Sequence, residues 1–192
     1  ERAQDDSRVV GLIAQVGATR IGMGTIQELR DAILAFGDSG KFTMAFAESF
    51  GEFGPGNGAY YLATAFDEIY LQPSGGVGLT GITYESAFLR GTLEKLEVEP
   101  RLFQREQYKN MADSFTRREF TDPHREALAG IMESHFTQMV DGIASRRALA
   151  EWDLVEIIDQ GPLRAAPALS LGLVDSLLYR DQVFDLVRDR SE

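Results

Sequence analysis

The first 48 residues constrain the fold most strongly. RVVGLIAQV, Arg8 to Val16, is a short apolar run rich in β-branched residues and reads as a buried strand. TRIGMG follows as a glycine-punctuated turn. TIQELRDAILAF then sets Ile26, Leu29, Ile33 and Phe36 at helical spacing, with Thr25 offering an N-cap. Gly40 closes the connection, and Lys41 to Glu48, KFTMAFAE, reads as a second strand. Strand, helix, strand in that order predicts a parallel pair with a crossover helix, and so an α/β fold.

The same alternation continues. Glycine-rich FGEFGPGNG, Phe50 to Gly58, leads into a short helix over AYYLATAF and a third strand over EIYLQ, Glu68 to Gln72. PSGGVGLTG, Pro73 to Gly81, is a second glycine-rich loop. A helix is predicted over Glu85 to Leu96, with Leu89, Leu93 and Leu96 on one face, then a strand over Arg101 to Gln104. Asp122-Pro123 supplies an N-cap and first-turn proline for a long helix. Its stripe of Leu128, Ile131, Met132, Phe136, Met139 and Ile143 reads as a core face. A further helix runs near Trp152 to Gln160 and stops at Gly161-Pro162; a short strand and an amphipathic helix end the chain. The whole reads as one domain, with a helical segment over about 122–160.

Composition narrows the function. A net charge of -11 repels phosphates, so nucleic acid is not an expected partner. With no cysteine, thiolate zinc sites are excluded. His124 and His135 lie three turns apart on one helix, ~16 Å, and cannot share a metal ion. The FGPGNG glycines, Gly54, Gly56 and Gly58, are not spaced as GxGxxG, and no HExxH or GK[ST] pattern is present, so neither a metal nor a nucleotide cofactor is expected. No apolar run reaches the ~20 residues of a membrane span. The chain begins at Glu1 rather than Met, which fits a piece of a longer protein.

Two features remain open as chemistry. The turn before AYYLATAF ends at a helix start, where backbone N–H groups can hold a carbonyl or an oxyanion, or can serve the turn alone. EQYKNMADSF holds Lys109, one of three lysines with Lys41 and Lys95. An ordinary lysine amine titrates near ~10.4, so a lysine base half-neutral near pH ~7.5 has given up about 4 kcal/mol of charge stabilisation. An apolar, occluded pocket can impose that. Tyr108, Met111, Ala112 and Phe115 are suitable walls, while Glu106 would oppose it. On composition alone, a solvated lysine is the default.

The order GNGAYYLATAFDEIYLQPSGGVGLTGI, a helix, then QYKNMADSFTRREFT resembles the signal peptide peptidase A, or protease IV, family. The likeness runs from about Val9 to Leu178 and is nearest the N-terminal half of the long, two-half form. Tyr60-Tyr61, Ala63, Asp67, Ile69, Pro73-Ser74 and Tyr108-Lys109 carry it. Ala168 to Asp175, an AxxxGLVD pattern, is shared more widely with Clp-protease and crotonase-like folds. The resemblance implies a Clp-protease/crotonase-like ββα spiral and a serine–lysine peptidase without metal or cofactor. Its substrates would be released signal peptides and other small peptides. Its parent would sit on the periplasmic face of the bacterial inner membrane and assemble into a homo-oligomer. Lys109 falls on the general-base position. The family's serine turn corresponds to Asn57-Gly58-Ala59-Tyr60-Tyr61, so Asn57 stands where the nucleophile would be. An amide cannot replace a hydroxyl nucleophile. The resemblance therefore implies that the serine comes from a C-terminal half, with Gly58, Ser74 and Gly75 near the substrate. Two other readings remain: a catalytically silent assembly domain of the same oligomer, and a crotonase-like acyl-CoA enzyme.

Overall fold

The computed structural model describes residues 2–17, 21–52 and 54–192. Its helices and strands run α1 (Arg2–Asp5), β1 (Gly11–Gln15), α2 (Met23–Gly37), β2 (Phe42–Ala47), α3 (Asn57–Ala63), β3 (Glu68–Leu71), β4 (Gly76–Val77), α4 (Arg90–Lys95), α5 (Asp113–Thr116), α6 (Asp122–Arg147), α7 (Glu151–Asp159), β5 (Leu163–Arg164), α8 (Ala165–Ser170), β6 (Ser176–Leu177) and α9 (Arg180–Ser191). Two compact units emerge: Glu1–Gly81 with Gln138–Glu192, and Ile82–Thr137. No helix among the described residues is long and apolar enough to cross a membrane.

The first unit is built on a parallel sheet of order β1-β2-β3-β6. Met44 pairs with Ile13 on one side and Glu68 on the other, so β2 is an interior strand. Its residues from Thr43 to Ala47 are all buried, as a strand covered on both faces requires. The predicted α/β class and the parallel first pair are what the chain adopts. Alternation sorts the side chains. Met44, Phe46 and Tyr70 pack with Val183 of α9, and Leu186 and Val187 close that cluster.

Arg190 of α9 grips both carboxylate oxygens of Glu68, at 2.5 and 3.1 Å, and the Tyr70 hydroxyl donates to the same carboxylate. Burial, reinforced by Glu68, pushes the Tyr70 hydroxyl up to about 12. The folded state thus holds this proton more tightly than the unfolded chain, whose tyrosines titrate near ~10. The stabilisation is complete below pH ~10 and is lost as pH rises towards ~12. Unfolding titrations from pH ~9 to ~12 should show stability falling across that window, and Tyr70→Phe should flatten the slope. An unchanged slope in the Phe variant would remove Tyr70 as its source.

The α2 stripe differs from its prediction. Leu29 is 41% exposed, whereas Arg30 is buried. The Arg30 guanidinium lies 3.8 Å above the Tyr61 ring and donates to Tyr61 O and to Thr64 Oγ1, the latter at 2.7 Å. Hydrogen bonding and ring stacking let a cation displace a leucine from the inner face. The helix also starts before Thr25, with Gly22 at its N-cap.

The second unit corrects two predictions. Glu85 to Leu89 is not helical, and α4 begins only at Arg90. The Leu89 N–H donates to Ser114 O at 2.7 Å, outside any helical ladder. Leu96 is 65% exposed, so the leucine stripe had no core to face. Arg101 to Gln104 forms no strand, and all four residues are exposed without a ladder partner among the described residues. The α6 stripe is likewise a core face only late. Met139 and Ile143 are buried, but Ile131 is 55% exposed. At its start, Thr121 caps the first turn: Thr121 O accepts from Arg125 N at 2.9 Å.

Candidate active site

Two stretches that the sequence marks for chemistry lie in different units and are described in turn. In the first unit, β2 runs into a tight loop that ends at α3. The loop's backbone is tied to the second glycine-rich loop: Phe50 N–H to Gly76 O (2.8 Å), Gly78 N–H to Phe50 O (2.6 Å) and Gly56 N–H to Gly78 O (2.7 Å). The FGPGNG glycines thus let two loops meet backbone to backbone. Gly51 adopts φ +90°, and a Cβ on Gly56 would stand 2.3 Å from Phe50 O. With Gly56 N–H committed to Gly78, that donor is not free to hold an oxyanion.

Asn57 is the first residue of α3. Its Nδ2 donates to Gly81 O at 2.5 Å, and its Oδ1 accepts from Thr80 N–H at 3.0 Å. Both ends of the amide thus tie down the second glycine-rich loop. A serine hydroxyl at this position could not span both contacts, so the side chain acts as a brace. Tyr60 and Phe50 stack edge to face at 5.4 Å, and the Tyr60 hydroxyl donates to Leu173 O at 2.6 Å. Ser74 is exposed and accepts from Gln72 Nε2 at 2.8 Å. Gly75 sits so close to β2 that a Cβ would lie 1.9 Å from Glu48 O.

In the second unit, Lys109 is exposed and precedes a short 3-10 turn, Asn110–Ala112, that runs directly into α5. Leu102, Phe103, Met111, Ala112 and Phe115 line a groove of about 340 Å³ beside it. Three of the four predicted walls stand there. Tyr108 points elsewhere: its hydroxyl donates to Glu126 on α6 at 3.0 Å. That bond to a carboxylate raises the hydroxyl's affinity for its proton. Lys109 makes no side-chain hydrogen bond or ion pair with the described residues, so Glu106 does not neutralise it by contact. The occlusion that a lysine base needs is not supplied within this unit, because the groove is open.

Just beyond Lys109 the polarity inverts. Asp113 is 2% exposed and His124 7% exposed, with His124 Nδ1 3.7 Å from Asp113 Oδ2. Thr121 Oγ1 donates to the same carboxylate at 3.2 Å. Sequence reasoning considers His124 as a metal ligand or triad member and supports neither, and it passes over Asp113. A lone Asp in ADSFTRREF carries no pattern that announces burial.

The model of "Peptidase family S49" matches residues 44–192. The chain belongs to peptidase family S49. The resemblance read from the sequence names the same kinship. A relative from Arabidopsis thaliana, "Serine protease SPPA, chloroplastic", is 27% identical over 189 residues, which is 98% of this chain and 27% of that protein. "Protease 4" of Haemophilus influenzae is 30% identical over 122 residues, covering 63% of this chain and 19% of the relative. "Protease 4" of Salmonella typhi is 29% identical over 127 residues, covering 66% and 20%. The chain therefore spans about a quarter or less of the curated relatives it matches. The S49 match takes in the braced Asn57 turn, the Ser74–Gly75 loop and Lys109 alike.

Proposed function

We propose that this chain is the lysine-bearing part of a serine–lysine peptidase whose nucleophile lies elsewhere in a longer parent. The observation that carries this reading is the Asn57 amide, engaged at both ends where the family's serine would stand. Family S49 membership supports peptidase chemistry, and the Arabidopsis relative is named a serine protease. Lys109, beside an apolar groove and free of carboxylate contacts within its unit, suits a base that is covered only when the parent is whole. In that parent, neutral Lys109 takes the proton of a serine hydroxyl supplied by the C-terminal half. The serine oxygen adds to the peptide carbonyl, backbone N–H groups hold the oxyanion, and the amine leaves with a proton to give an acyl-enzyme. Lys109 then activates the water that releases the acid. No cofactor enters these steps.

The resemblance to the two-half form supports placing this chain in the N-terminal half. It also supports released signal peptides and other small peptides as substrates, a homo-oligomeric parent, and the periplasmic face of the bacterial inner membrane. The two bacterial relatives fit that setting. Gly58, Ser74 and Gly75 would lie near bound peptide. A second reading, an assembly domain without chemistry, draws on the exposure of Phe103 (104%) and Met111 (87%).

The test is hydrolysis of a fluorogenic apolar peptide near pH ~8 by this chain alone. Silence is expected. Asn57→Ser should remain silent as well, and should lose about 1 kcal/mol of stability with the Thr80 and Gly81 bonds. Turnover by the unmodified chain, abolished by Lys109→Ala, would mean that it carries its own nucleophile and would sink the reading.

A further inference from the structure

The segment that presents Lys109 is anchored sparsely: the Tyr108 hydroxyl bonds Glu126, Ser114 O accepts from Leu89 N–H, and the Asp113 carboxylate is buried. Lys109 and Met111 are exposed, and Lys109 N–H makes a long backbone bond, 3.4 Å, to Glu106 O. Asp113, four residues on, is the one residue of this stretch that is fully buried. Its carboxylate is a costly group to bury, and a leucine would fill the same space more cheaply. What surrounds it is polar and specific: Thr121 Oγ1 at 3.2 Å and His124 Nδ1 at 3.7 Å. His124 is wedged by aromatic rings, Phe120 at 4.9 Å edge to face, with Phe88 at 5.0 Å behind it. Two buried polar atoms here lack partners, His124 Nδ1 and Asn110 Oδ1. Asn110 is the residue after Lys109. Buried polar groups left unmatched are rare in folded proteins; one of these two follows Lys109 directly and the other lies in the first turn of α6, facing Asp113.

We propose that Asp113, with Thr121 and His124, is a positioning residue for Lys109. It pins the turn from Lys109 to Thr116 against the start of α6, and so fixes where the amine projects. The inference rests on the peptidase reading above. It requires no contact between Asp113 and the substrate, and no titration of the pair. The gap to His124 exceeds hydrogen-bond length, ~3.2 Å, by a small margin, so a slight inward movement of α5 would complete the triad of contacts.

Two measurements test it together. The first is the backbone NMR order of residues 109–116 in this chain. Asp113→Ala should lower it, and Glu119→Ala, at an exposed site nearby, should not. The second is peptide hydrolysis by the full-length parent. Asp113→Ala should lower kcat about 10- to 100-fold with KM within about 2-fold, as expected for a displaced base. Asp113→Asn, which still accepts from Thr121, should restore most of the lost rate. If Asp113→Ala does not fold, Thr121→Val takes its place, with the same drop in order and a smaller drop in kcat. Unchanged order and unchanged kcat would overturn the proposal, as would a fall in thermal stability alone. A silent Lys109→Ala beside a fully active Asp113→Ala would sink this inference and leave the peptidase reading standing. A fully active Lys109→Ala would sink that reading, and the order measurement would then decide the pinning by itself.

Discussion

Lys109→Ala in the full-length parent should lower kcat/KM for an apolar peptide by about 10³-fold, close to 4 kcal/mol of transition-state stabilisation. Alanine removes the amine and one lining side chain of the groove, while its apolar lining, Leu102, Phe103, Met111, Ala112 and Phe115, stays in place. Substrate affinity should therefore change little, and the loss should fall on kcat. Stability should also hold, because Lys109 is exposed and makes no side-chain hydrogen bond or ion pair with the described residues. Lys109→Arg should be as inactive as alanine, because a guanidinium does not surrender its proton near neutral pH. Steady-state kinetics on the three proteins, with thermal unfolding alongside, make the check. Preserved turnover in Lys109→Ala would favour the assembly-only reading and end the assignment of a base here.

Gly75→Ala should destabilise this chain by about 3 kcal/mol and lower Tm by about 10 °C. The added Cβ would stand 1.9 Å from Glu48 O, 3.0 Å from Glu48 C and 3.2 Å from Gln72 O, all backbone atoms. None can rotate away as a side-chain tip would. Gly75 is also bonded on both sides, its N–H to Gln72 O at 2.9 Å and its carbonyl to Ala165 N–H at 3.0 Å. Relief must come from separating the loop from the end of β2. By contrast, Gly130→Ala adds a Cβ to open space on α6 and should stabilise by about 0.5–1 kcal/mol. Thermal unfolding of the two variants separates a packing role for Gly75 from a purely ligand-facing one. A Tm within about 2 °C of wild type for Gly75→Ala would leave only the latter.

What could be read in the sequence follows burial. β1, β2 and β3 are covered by helices, and their apolar runs announce them. Gly40 and Gly172, at φ +81° and +74°, mark turns that only glycine takes easily, and Gly40 was legible as a break. The second unit was legible only in part. Its apolar residues are largely exposed, so the leucines of 89–96 and the Leu102-Phe103 pair gave periodicity without a core to enforce it. Arg30 was hidden for the opposite reason: a charge is expected outside, and only Tyr61 and Thr64 explain it within. The Asn57 brace needs residues 57, 80 and 81 to meet in space, and the Asp113–His124 pair needs 113 and 124. Spacing along one chain does not reveal either meeting.

The sheet order also dictates when this protein can be whole. β3 ends at Leu71, yet its outer neighbour is β6, where Tyr70 meets Ser176 and Leu71 meets Leu177. Everything between those strands, the entire Lys109 segment included, is made and threaded out before that edge is covered. A nascent chain leaving the ribosome therefore exposes one side of β3 until β6, about a hundred residues later, has emerged, and an uncovered strand edge invites pairing with other chains. Closing so long a loop is entropically slow, which favours chaperone protection during synthesis. The minimal piece of this protein that can fold cleanly is accordingly set by Ser176–Leu177 and the helix behind them, far along the chain from the residues assigned to chemistry.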